Sequence, residues 1–162
     1  MSQPDLRPAP GTKGIDPRGP RFTASIVAVL LAVTIVLGLV GAQRAAWILL
    51  TVLALLFLWG AVAGVQQHPF GALFRAAVRP RLTAPAELED PVPPTFAQLV
   101  GLVITGLGVI IGVWVPAVVV IAAALAFVAA FLNAVFGYCL GCQIYLLLVR
   151  AGVVRRSTGS AA

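Results

Sequence analysis

The sequence has very little charge. Of its 162 residues only 10 % are Asp, Glu, Lys or Arg, where a soluble domain carries about a quarter. That scarcity, beside 60 % hydrophobic residues and a mean hydropathy of +1.04, excludes an ordinary soluble globule and points to a membrane protein. There is one His and there are two Cys, too few to close a four-ligand zinc site within one chain. The long apolar runs contain no ionisable side chain other than Cys and Tyr, which argues against a proton- or ion-coupled pump. The net charge of +6 is carried by residues that flank apolar runs, so topology and anionic lipid explain it. No motif for nucleic acid is present.

Four uncharged apolar stretches are long enough to span, at 22–41, 45–65, 96–115 and 117–149. About 20 helical residues at about 1.5 Å each cross a hydrocarbon core of about 30 Å. The last stretch is too long for one upright helix. It reads as a span at 117–137, a bend near Gly137, and a short helix at 139–150, with one steeply tilted helix as the alternative. The basic residues fall on one side: Arg7, Lys13, Arg18 and Arg21, then Arg75, Arg79 and Arg81, then Arg150, Arg155 and Arg156. Arg44 stands alone on the other. By the positive-inside bias, both termini and the middle loop are expected in the cytoplasm of a multi-pass cell-membrane protein. The first run is expected to be retained as a span, since it is longer than a signal peptide despite the small residues "VGA" that end it. The reading divides the chain into a disordered tail (1–14), a four-helix transmembrane domain (15–152) and a second disordered tail (153–162).

The polar segments carry further expectations. "DPRGPR" reads as a turn at the lipid interface. In "HPFGALFRAAVRP", Phe70, Leu73, Phe74, Ala77 and Val78 follow helical spacing, with Arg75 and Arg79 on the other face. An amphipathic interfacial helix is predicted at 69–79, stopped by Pro80. Thr95 and Gln98 stand three apart, as a capping box requires. His68 is read as an interfacial residue that could also serve as a ligand or base. The pairs Gly60/Gly64, Gly108/Gly112 and Gly137/Gly141 allow close backbone approach, and the first and third predict that spans two and four meet near the cysteines. Asn133 lies deep in the fourth span and needs a polar partner there.

Cys139 and Cys142 form a Cys-x-x-Cys pair in "NAVFGYCLGCQIYLLL". Three readings stand. In thiol–disulfide exchange one thiol attacks and the other resolves the mixed disulfide. A helix beginning near Cys139 favours the Cys139 thiolate, with Gly141 and Tyr138 in supporting positions. A metal site would need further ligands, from His68 or a second copy. As structural residues, the pair would simply pack between helices. The reading assigns no metal and no cofactor.

Taken together, "GIDPRGPRF", "HPFGALFRAAVRPRL", "PAELEDPVPPTFAQ" and "NAVFGYCLGCQIYLLL" resemble the bacterial integral membrane family catalogued as domain of unknown function 4395, from about residue 14 to residue 150. The excess of Arg over Lys suits a GC-rich bacterium. The resemblance implies a small multi-pass membrane protein. It also implies a cytoplasmic thioredoxin-like or sulfurtransferase-like partner, because such proteins tend to be encoded near family members. Asn133, Cys139, Gly141 and Cys142 match the family pattern, with Arg18 and His68 among those at the rim.

The expectation is therefore an all-α bundle of four transmembrane helices with a cytoplasmic interfacial helix. Its activity would be a thiol–disulfide or sulfane-sulfur relay, Cys139 attacking and Cys142 resolving. Arg18, Arg75 and Arg79 would receive the partner. The competing reading is a non-catalytic scaffold subunit or a passage for a small neutral solute.

Overall fold

The computed structural model describes residues 14–85 and 87–154. Of the tails read as disordered (1–14 and 153–162), residues 1–13 and 155–162 lie outside the described residues. Among the described residues the chain is all-α. Four long helices, α1 (Arg18–Leu39), α2 (Gln43–Ala63), α4 (Val92–Gly112) and α5 (Ala117–Phe136), alternate in direction. Each is long and apolar enough to cross a membrane, at 20 to 22 residues. The short helix α3 (Pro69–Leu73) lies between the hairpins, and α6 (Leu140–Arg150) follows the last span.

The long helices close a ring in the order α1, α2, α4, α5, with α1 packing most extensively on α5 and α2 on α4. The centre is filled by small and branched side chains: Val27, Leu31, Leu50, Leu53, Val119 and Ala123. The ring is tight because glycine allows it. A methyl on Gly112 would lie 2.5 Å from Val119 Cγ2, and one on Gly108 would run into Ala122. Hydroxyls in this apolar interior bond back to their own helix: Thr34 to the Leu30 carbonyl at 2.9 Å and Thr105 to the Gly101 carbonyl at 2.7 Å. Trp47 Nε1 donates to the Val109 carbonyl at 2.9 Å and ties α2 to α4. The outward surface remains apolar, with Val62 80 % exposed and Trp114 75 % exposed. Such a surface suits lipid rather than water.

Several local expectations change. Helix α1 starts at Arg18, so "RGPR" forms its first turn rather than a separate interfacial turn. Helix α4 starts at Val92, taking in Pro93 and Pro94. Proline is tolerated in a first turn, where its missing N–H has no helical partner anyway. The Thr95/Gln98 capping box does not form. Thr95 Oγ1 donates to the Pro91 carbonyl at 2.8 Å, and Asp90 Oδ1 accepts from the Val92 N–H at 2.9 Å at the true start. The interfacial segment is not one α-helix: after α3 it widens into a π-turn at Phe74–Val78, then tightens to a 3₁₀ turn at Arg79–Arg81. Phe74 is buried against α1, its ring 5.7 Å from that of Phe22 and 3.5 Å from where a Gly19 methyl would sit. Leu73 stays exposed.

The glycine pairs also choose another partner. A methyl on Gly60 would meet Gln98, and one on Gly141 would meet Ala97. Both Gln98 and Ala97 belong to α4. Span two, at Gly60, and helix α6, at Gly141, therefore both close on α4 at this end, while Gly137, just after span four, lies beside Arg21 of α1.

Candidate functional site

The chain leaves α5 through Gly137, whose φ of 68° is the left-handed turn that glycine adopts without strain. The Gly137 N–H bonds the Asn133 carbonyl at 3.0 Å and the Tyr138 N–H bonds the Leu132 carbonyl at 3.2 Å, which closes the helix end. Asn133 is half-buried one turn earlier, and its backbone serves this cap. Arg21 of α1 lies across the turn, its guanidinium 3.6 Å from where a Gly137 methyl would sit and 3.3 Å from the Val135 carbonyl. Tyr138 is 44 % exposed.

Two residues later α6 begins. Cys139 is its N-cap, in extended conformation, and its Sγ accepts the Cys142 N–H at 3.3 Å. The two sulfurs lie at disulfide distance, with the Cα atoms 5.2 Å apart, within the range that a disulfide spans. The pair is asymmetric. Cys142 is buried, at 3 % exposure, while Cys139 is partly exposed. Behind them Gly141 sits against the Ala97 backbone and Tyr145 packs on Phe96 with ring centres 5.7 Å apart. Helix α6 is thus held on α4, and Cys142 faces inward with it.

His68 does not join the cysteines. It is 2 % exposed and caps α3, its Nδ1 accepting the Phe70 N–H at 3.3 Å, while a hydrogen bond also joins it to the Leu56 backbone. Burial holds its imidazole below the ordinary value of 6.5, and the Leu56 bond works in the opposite direction. With Nδ1 as acceptor, the proton of the neutral ring belongs on Nε2. Among the described residues no cluster of three His, Cys, Asp or Glu side chains is placed to hold a metal.

Of the three rim arginines, Arg18 is occupied. Its Nε and Nη2 donate to the Asp16 carboxylate at 2.9 and 2.8 Å, its N–H adds a bond of 3.0 Å, and Nη2 also reaches the Thr83 carbonyl at 2.9 Å. These hydrogen bonds hold the Asp16 carboxyl below the usual carboxylate range. Arg75 and Arg79 line a cavity of about 460 Å³ between the start of α1, the turn after α2 and α3. Sequence reasoning did not find this cavity. Its only signal was the unusual density of Gln at span ends: Gln66, Gln67 and Gln98 all line it.

Neither a curated protein nor a solved structure matches the chain. A family profile does: the "domain of unknown function" profile numbered 4395 covers residues 15–150, which takes in the rim, all four spans and the cysteine turn. The chain belongs to the domain of unknown function 4395 family.

Proposed function

We propose that the protein is a thiol–disulfide relay of the bacterial cell membrane, with both termini and the cysteine turn on the cytoplasmic side. The observation that carries this reading is the asymmetry of the pair. Cys139 is partly exposed at a helix start, and Cys142 sits buried one turn behind it.

The chemistry follows from that arrangement. In the reduced chain the Cys139 thiolate, favoured by the helix N-terminus and by the Cys142 N–H, attacks one sulfur of a partner disulfide. A mixed disulfide forms and the first partner thiolate leaves. The Cys142 thiolate then attacks Cys139 Sγ, closes the internal disulfide and releases the second partner thiolate. Two electrons pass from this chain to the partner, and the two thiol protons go with them. The reverse sequence reduces the chain. A sulfane sulfur fits the same site: the Cys139 thiolate takes the outer sulfur of a partner persulfide and releases the partner thiolate. A thioredoxin-like or sulfurtransferase-like protein in the cytoplasm is the partner that this chemistry suits.

Maleimide labelling of intact membranes, read by mass with and without prior reduction, is the direct test. Labelling that appears only after reduction is expected. Cys142→Ser should then trap a mixed disulfide and Cys139→Ser should form none. Equal labelling in both samples, or two variants that behave like the parent, would replace the relay with the scaffold reading.

A further inference from the structure

The two arginines in the first turn of α1 are used differently. Arg18 is spent on the Asp16 carboxylate. Arg21 has no carboxylate partner among the described residues. Its Nη2 donates to the Val135 carbonyl at 3.3 Å, one of the acceptors that the end of α5 leaves without a helical N–H. Its Cζ, Nε and Nη1 lie 3.6, 3.6 and 3.7 Å from where a Gly137 methyl would sit. Three atoms of one planar group at nearly one distance mean that the guanidinium lies flat over that position. Its fixed positive charge is therefore held against the turn that leads into Cys139, with no acid to neutralise it.

No other element brings charge to this place. Helices α4, α5 and α6 contain no acid, and no base before Arg150. Arg150 stands at the other end of α6, about 16 Å along the helix from Cys139. The α4 residues seated against α6, Phe96 and Ala97, are neutral. The titratable groups beside Cys139 on its own segment are Tyr138, Cys142 and Tyr145, none of them a cation. Gly137 and Cys139 are two residues apart, so their Cα atoms lie at most about 7 Å from each other. A charge acts over about 8–10 Å at ordinary salt, and a nearby cation favours a thiolate over a thiol. We propose that Arg21 is a positioning residue of the thiol site: it fixes the turn after α5 through Val135, and its charge holds the reduced Cys139 as the thiolate that attacks. This rests on the relay reading and supplies a source for the nucleophile that the relay needs. Arg21 itself passes no proton and no electron.

The test uses the full-length Cys142→Ser protein in detergent, so that one thiol is read. Alkylation of Cys139 by the neutral reagent iodoacetamide, followed by mass from about pH 5 to 10, gives the midpoint of thiolate formation. Arg21→Gln removes the charge and keeps a donor for the Val135 carbonyl. It should lower the ionisation constant of Cys139 about threefold or more at low salt. Arg21→Lys keeps the charge and should behave like the parent. Arg44→Gln removes a charge from the far end of the bundle and should leave the midpoint in place. About 1 M salt, which shortens the screening length to about 3 Å, should bring the parent and Arg21→Gln together. Arg21→Met serves in place of Arg21→Gln should that variant not fold. A midpoint that the loss of the Arg21 charge does not move overturns the proposal. So does a rise with Arg21→Lys or Arg44→Gln as large as with Arg21→Gln, or a difference that survives the high salt. No partner enters this measurement, so its failure leaves the trapping of a mixed disulfide by Cys142→Ser untouched. A shifted midpoint without trapping would refute the relay and keep Arg21 as the group that sets the ionisation of Cys139.

Discussion

Replacing Gly141 by Ala tests whether α6 is seated on α4 as tightly as the packing implies. The added methyl would lie 2.5 Å from both Cα and Cβ of Ala97, and 3.4 Å from its backbone nitrogen. Carbon atoms in contact sit about 3.5–4.0 Å apart, so α6 must retreat by about 1 Å. No rotamer change relieves it, since the obstacle is backbone and a Cβ. Overpacking of this kind costs about 1–3 kcal/mol. Gly106→Ala is the matched control, because a methyl there meets nothing within 4 Å. Alanine improves helix propensity by about 0.5–1 kcal/mol, a gain that Gly106→Ala keeps whole. The two variants should therefore differ by about 1–3 kcal/mol or more, with Gly106→Ala equal to or above the parent. Thermal unfolding in one detergent, followed by circular dichroism, measures the difference. Gly141→Ala should also slow closure of the Cys139–Cys142 disulfide, because Cys142 moves with the displaced turn. If Gly141→Ala melts with Gly106→Ala, the close α4–α6 contact is not part of the folded state.

Two further substitutions probe the rim. The buried His68 imidazole titrates below its ordinary value of 6.5, so the unfolded chain binds its proton first. Stability is then fully present above pH 6.5 and falls as pH drops through it, no more steeply than about 1.4 kcal/mol per pH unit for one group. His68→Asn keeps an acceptor for the Phe70 N–H and should lose this component; identical pH profiles for parent and variant would refute the assignment. Glu89 has the opposite sign: burial, and then the neighbouring Glu87 charge, push its carboxyl above the ordinary 4.5. Its charge therefore costs stability at neutral pH and the cost vanishes below pH 4.5. Glu89→Gln leaves the backbone bonds to Ile15, at 2.8 and 2.9 Å, untouched. It should melt higher than the parent at pH 7 and together with it at pH 4.

The spans were readable because the run of apolar residues is itself the physical requirement for crossing a bilayer. The break at Gly137 was equally readable, since an uncharged run of that length cannot stand upright in one span. What sequence could not supply was pairing. Gly60 and Gly141 announce that some backbone comes close, but only the structure shows that both approach α4, at Gln98 and Ala97. Thr95 and Gln98 had the spacing of a capping box, yet the prolines before them already start α4, which leaves Gln98 free to turn toward Gly60. The π-turn at Phe74–Val78 has no local signature. It is set by Phe74 reaching Phe22 on another helix. His68 looked interfacial because it stands alone at the end of span two, whereas the structure buries it, bonded to Phe70 and Leu56. Of the cysteine site, the helix start at Cys139 followed from Gly137. The inequality of exposure between the two sulfurs needed the position of α4.

The ring order has a consequence for how the molecule is made. Its helices enter as two hairpins with short turns, yet the most extensive contact of α1 is with α5, a helix that begins at Ala117. During synthesis the first helix is complete long before its main partner exists. Its small-residue face, including Gly38, which takes Val120 of α5, has nothing to close against until the second hairpin arrives. Assembly must therefore end with the joining of the earliest and latest spans, a late long-range step. A chain interrupted after α4 would expose that face to lipid or to a neighbouring protein, and α6 with its cysteines would be missing from it.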